Sequence, residues 1–167
     1  MSFRITDQLI GGQPIASTDT VQQHPLGTIV RAVDPVYGGG EFIYLLGVAS
    51  TAVGSIVSWN ATTHQTVLGV AAERIPRPLA VAMSANVANQ YGWYQISGIA
   101  VVAKLATVSF AAGAALAVAS TGSGTAIATA SGNEVQGALV AAVASAATGR
   151  TSVSVSLNRP RMQGRIT

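Results

Sequence analysis

Residues able to do acid–base, nucleophilic or metal chemistry are few in this 167-residue chain, and they are widely spread. The two histidines, His24 and His64, stand far apart in sequence. Neither sits in a run of His, Asp and Glu at metal-ligand spacing, so both read as surface loop histidines. The six carboxylates are Asp7, Asp19, Asp34, Glu41, Glu73 and Glu134, with no close pair of the kind acid–base catalysis uses. Cysteine is absent, which removes disulfides, thiolate nucleophiles and thiolate ligands. Two glycine runs, Gly38-Gly39-Gly40 and Gly122-Ser123-Gly124, invite a phosphate-binding reading. Neither has the complete fingerprint, the strand–loop–helix setting or a following Lys, so both read as turns. No Gly-x-Ser-x-Gly nucleophile elbow occurs. The expectation is a protein with no catalytic residues, no metal and no cofactor.

The other chemistry-bearing set is aromatic. Tyr91-Gly92-Trp93-Tyr94-Gln95-Ile96-Ser97-Gly98 is the most aromatic stretch of the chain. Strand alternation puts Tyr91, Trp93, Gln95 and Ser97 on one face, and Tyr94 and Ile96 on the other. Both faces then need cover, which predicts an inner strand or one face held by a partner. Trp59, Tyr91, Trp93 and Tyr94 are the candidate aromatic core, since they lie in apolar, alternating runs. The competing reading is a platform that stacks a sugar or a base. Nucleic-acid binding would want a basic groove among these rings, and Arg74 and Arg77 are the only basic residues near them.

The elements that position these residues read as short strands. Residues 1–27 have no sustained periodicity and carry loop signals at Gly11-Gly12-Gln13-Pro14 and His24-Pro25-Leu26-Gly27. They form either an arm ordered against a neighbour or a frayed terminus. Strands are predicted over Thr28–Val33, Glu41–Leu46, Ser55–Trp59, Gln65–Ala71 and Leu79–Ser84. Residues 85–90 suit one helical turn. Ile99–Ser120 is apolar enough to raise a membrane span, but Lys104 inside it would cost roughly 2.5–3.5 kcal/mol near a helix centre. Thr107, Ser109 and Gly113 favour strands broken at Gly113 instead. Val135–Ala147 leaves helix and strand open, since it has no polar face. Thr151–Leu157 is the cleanest strand, with Val153, Val155 and Leu157 inward and hydroxyls outward, and Pro160 is expected to end it. This spacing implies an all-β sandwich or barrel, with an arm at 1–27, a body at 28–157 and a tail at 158–167.

Charge sets the broad class. Asp, Glu, Lys and Arg make up 9% of the chain, against roughly 25% in average soluble domains. A neutral, hydroxyl-rich surface repels copies of itself weakly and suits close assembly. The start of the chain, Met1-Ser2-Phe3-Arg4, lacks the basic and apolar regions of a secretory signal. The formal charge of +3 is concentrated at the far end, where Arg159, Arg161 and Arg165 follow the last strand. Together with Arg4 they are candidate capsid or subunit contacts, because a guanidinium holds carboxylates bidentately even when partly desolvated. A solvated basic tail is the plainer reading.

Three stretches carry a family resemblance. They are Glu41-Phe42-Ile43-Tyr44-Leu45-Leu46-Gly47-Val48-Ala49-Ser50-Thr51, Ala80-Val81-Ala82-Met83-Ser84-Ala85 and Gln90-Tyr91-Gly92-Trp93-Tyr94-Gln95-Ile96-Ser97-Gly98. In these, and in the closing Leu157-Asn158-Arg159-Pro160, the chain resembles the tailed-bacteriophage capsid cement proteins, also called decoration or head-stabilising proteins. The resemblance covers about residues 28–105. It implies a β-sandwich, often of jelly-roll type, on the outer surface of the capsid in the virion. The implied partners are the major capsid protein and further copies of the chain, as homodimer or homotrimer, with neither nucleic acid nor membrane. It implies no enzyme. The alternatives are a carbohydrate-binding β-sandwich module and a tail-fibre or spike segment.

Overall fold

The computed structural model describes residues 4–5, 13–71, 76–129, 133–148 and 151–163. The fold is all-β, with no helix among these residues. Its strands are β1 (Arg4–Ile5), β2 (Thr18–Asp19), β3 (Ile29–Asp34), β4 (Gly38–Leu46), β5 (Ile56–Trp59) and β6 (Thr66–Leu68). They continue as β7 (Leu79–Ala82), β8 (Tyr91–Lys104), β9 (Ala115–Val118), β10 (Ala126–Ala128), β11 (Glu134–Val140) and β12 (Thr151–Met162).

β8 contains the aromatic stretch and is the axis of the molecule. Its first half pairs with β4 (Leu46↔Tyr91 to Glu41↔Ser97) and its second half with β12 (Asn158↔Ser97 to Thr151↔Lys104), the two meeting at Ser97. It also pairs with β2, with β7 and, at Lys104, with β10. Alternation along β8 divides the interior as expected. Trp93 enters a cluster with Phe42, Tyr44, Val30, Met83 and Ile15. Tyr94 and Ile96 enter a second, with Ile43, Leu45, Val57 and Ala82. Beyond Gly98 the same face of β8 supplies Ala100 and Val102 to a third, lined by β9, β11 and β12. β5 and β7 stand between the second and third clusters, giving Val57 and Ala80 to one and Ile56 and Leu79 to the other. Sheets thus pack through their faces, as a sandwich requires.

The third cluster lies inside a closed ring: β8 pairs β12, β12 pairs β11, β11 pairs β9, β9 pairs β10, and β10 returns to β8. Closure removes the open edges that an isolated sheet would leave. Lys104 sits at the seam, paired with both Thr151 and Ala126. Its side chain is buried, and its ammonium donates to the carbonyls of Val108 (2.7 Å) and Leu105 (3.3 Å). A buried ammonium needs such acceptors. No helix of the described residues is long and apolar enough to cross a membrane.

Several expectations change. Gly38-Gly39-Gly40 is the start of β4, not a turn; the turn is Pro35-Val36-Tyr37, where Asp34 Oδ1 accepts from the amides of Val36 (2.8 Å) and Tyr37 (3.0 Å). Residues 85–90 contain no helical turn. The open choice over Val135–Ala147 resolves as strand up to Val140, with Gly137 at φ +76 in a bulge, and as irregular chain beyond it, with an isolated bridge at Ala144. β12 runs through Pro160 to Met162. Proline is tolerated there because Asn158, Arg159 and Pro160 lie opposite the bulge, so β11 asks Pro160 for no amide hydrogen. Residues 13–27 fold onto the body: Ile15 is buried in the first cluster, β2 pairs with Gly92 and Tyr91, and Ser84 Oγ donates to the Ser17 carbonyl (3.1 Å).

Candidate interaction surface

The four aromatic candidates divide by burial. Trp93 and Tyr94 have no exposed surface, while Tyr91 and Trp59 are half-buried. Trp93 packs against Tyr44 (ring centroids 5.1 Å apart) and His24 (5.4 Å), and Tyr44 stacks on Tyr91 at 6.3 Å. His24 is therefore a core residue wedged edge-on against Tyr44, not a surface loop histidine. Its ring is aromatic surface in the pocket where residues 13–27 meet β4 and β8. Tyr44 donates its hydroxyl hydrogen to Asp19 Oδ2 (3.3 Å) and accepts from the Gln23 amide (3.3 Å). Burial raises its pKa above the usual tyrosine value, the Gln23 amide opposes this, and the Asp19 charge adds to it. Burial pushes Tyr94 up to about 12. Thr66 and Asn86 pull weakly the other way, but neither closes a hydrogen bond to the hydroxyl. His64 lies parallel to Trp59, 5.8 Å away.

The arginine candidates divide as well. Arg165 lies outside the described residues, as do Arg74 and Arg150. Arg161 is exposed and donates Nε–H to Gln136 Oε1 (3.0 Å) on β11. Arg159 is not a loose tail residue. It reaches back to Glu41 on β4, with Nη2 at 3.1 Å and Nε at 3.3 Å from Oε2. Arg31 on β3 stands across the same carboxylate, its Nε 3.7 Å from Oε1. Arg4 pairs with Val33 on β3, and directly paired residues point to the same side of a sheet. Val33 and Arg31 both point outward, so Arg4, Arg31 and Arg159 share one face with Glu41. Exposed pairs of this kind contribute about 0–1 kcal/mol each, so they give little to stability. Their value is positional: they hold a basic group at a fixed place on the sheet.

Two depressions meet at Arg159. One is an apolar notch of about 200 Å3, walled by Ile29, Ile43, Trp59, Pro78, Ile96 and Pro160, where the interior between the sheets opens outward. The other is a shallow groove of about 510 Å3 over Val33, Gly39, Ser97, Asn158 and the Arg31–Glu41–Arg159 group. The sequence reading missed Arg31, Glu41 and Gly39 as parts of this face. The signal was present, because a hairpin centred on Val36 places 31 opposite 41 and 33 opposite 39.

Among the described residues, no three His, Cys, Asp or Glu side chains cluster closely enough to hold a metal ion. Neither a scan of protein-family models nor a search of curated proteins finds a match to this chain.

Proposed function

We propose that the chain is a structural protein of a phage virion, a cement or decoration protein on the outer surface of the capsid. In this reading it stabilises contacts between capsomers of the major capsid protein and works as a homodimer or homotrimer. The observation that carries the reading is the three stretches resembling cement proteins. They lie side by side: β4 and β7 both pair with β8, so the resembling residues form one continuous piece of sheet. Low charge supports it too, because each charge desolvated in a repeated interface needs a partner. Burial of Trp93 and Tyr94 counts against a sugar platform built on those rings.

The test uses shells assembled without this chain, then given it back. Added protein should raise the temperature and the osmotic shock at which the shells rupture. Binding should weaken with salt only in part, since screening removes the arginine contribution and leaves the apolar one. Equal shell strength with and without the protein would refute the proposal.

A further inference from the structure

The notch and the groove form one track across the outward side of β3, β4 and β12, with Arg159 at their junction. We propose that this track is the docking site for an extended, acidic polypeptide segment of another protein, with one apolar side chain seated in the notch. Length supports an extended strand-like occupant. From Ile29 to Val33 the track runs along five residues of β3, about 13 Å, which four or five extended residues would span. The notch is lined almost wholly by carbon, with Trp59 on one side and Ile29 and Ile43 on the other, which selects an apolar side chain. The groove floor at Gly39 is open: a Cβ built there would meet nothing within 4 Å.

Charge selects the sign of the occupant. Among the described residues, three guanidiniums, those of Arg4, Arg31 and Arg159, share this face with one carboxylate, that of Glu41. The Arg159 side chain is 64% exposed, so it can turn from Glu41 toward an arriving carboxylate without breaking a buried pair. Charge also argues against a second copy as the occupant. Of the acids in the described residues, Asp34 is buried, Asp19 accepts the Tyr44 hydroxyl hydrogen and Glu41 belongs to the track itself. Among the described residues that leaves Glu134 for a copy of this chain to offer, while Asp7 and Glu73 lie outside them.

The experiment is amide chemical-shift mapping on the full chain with two capped heptapeptides. One has a central Leu flanked by Glu on both sides, and the other has Lys in place of every Glu. The Glu peptide should shift Ile29, Arg31, Val33, Gly39, Arg159 and the Trp59 indole, and bind at least tenfold tighter than the Lys peptide. Gly39→Leu should fill the groove and abolish the shifts without changing thermal unfolding, and Arg159→Gln should weaken binding at least threefold. Equal binding of both peptides, shifts elsewhere, no binding at millimolar peptide, or unchanged binding by Gly39→Leu would each overturn the proposal. So would self-association in sedimentation velocity that Gly39→Leu removes, which would assign the track to a second copy. The probe is a free peptide, so this result is separate from whether the protein binds shells.

Discussion

At the scale of single residues, burial decides what the aromatic side chains do. Trp93 is fully enclosed between Tyr44, His24 and the first cluster, so Trp93→Ala leaves a large cavity where collapse is restrained on all sides. Denaturant unfolding should show a loss of about 3–5 kcal/mol, and wild-type stability would mean that the ring is not core. Tyr94 makes a pH-dependent contribution. The unfolded phenol ionises near 10 and the folded one near 12, so in between the unfolded state binds fewer protons. Stability from this group is complete below pH 10 and is lost as pH rises toward 12, on the order of 3 kcal/mol in all. Tyr94→Phe should flatten that part of the alkaline decline in the unfolding midpoint. It should not weaken the fold at neutral pH, since the hydroxyl has no partner among the described residues. An unchanged alkaline slope in the variant would assign the decline to other groups.

At the scale of elements, legibility followed the strength of local pattern. Alternation over Tyr91–Ile96 and Thr151–Leu157 was readable because side chains of different polarity take opposite faces, and β8 and β12 are where it placed them. The arginine–glutamate face was not readable in the same way. Gly38-Gly39-Gly40 has no side chains to alternate, so composition pointed to a turn, whereas pairing across Pro35-Val36-Tyr37 makes it strand. Pro160 misled for a related reason: proline interrupts a ladder only where its amide would be used, and the bulge opposite removes that use. Gly137 makes the bulge possible. It holds φ +76, and a Cβ there would come within 2.6 Å of the Asn158 carbonyl oxygen. Gly137→Ala should therefore cost more than about 1 kcal/mol in thermal or denaturant unfolding, as side chains are disfavoured at positive φ. A neutral effect would mean that β11 and β12 can pair without this bulge.

At the scale of the whole molecule, a closed ring, three apolar clusters and a nearly neutral surface give a rigid body with few charges to desolvate. Positive charge on it is localised: the Arg4, Arg31 and Arg159 face is an oriented patch, joined to an apolar notch. Residues 13–27 are held by Ile15, β2 and the His24–Tyr44–Trp93 contacts, so their removal would open the core and could not serve as a test of docking alone. The central claim is attachment to a shell. It is tested most directly by counting copies of this chain per major capsid protein on purified heads by quantitative mass spectrometry, across a range of added protein. The account predicts a ratio that rises to a fixed plateau set by the symmetry of the shell and stays there through repeated sedimentation. Heads that carry no copies, or a ratio that climbs with concentration and never saturates, would contradict it.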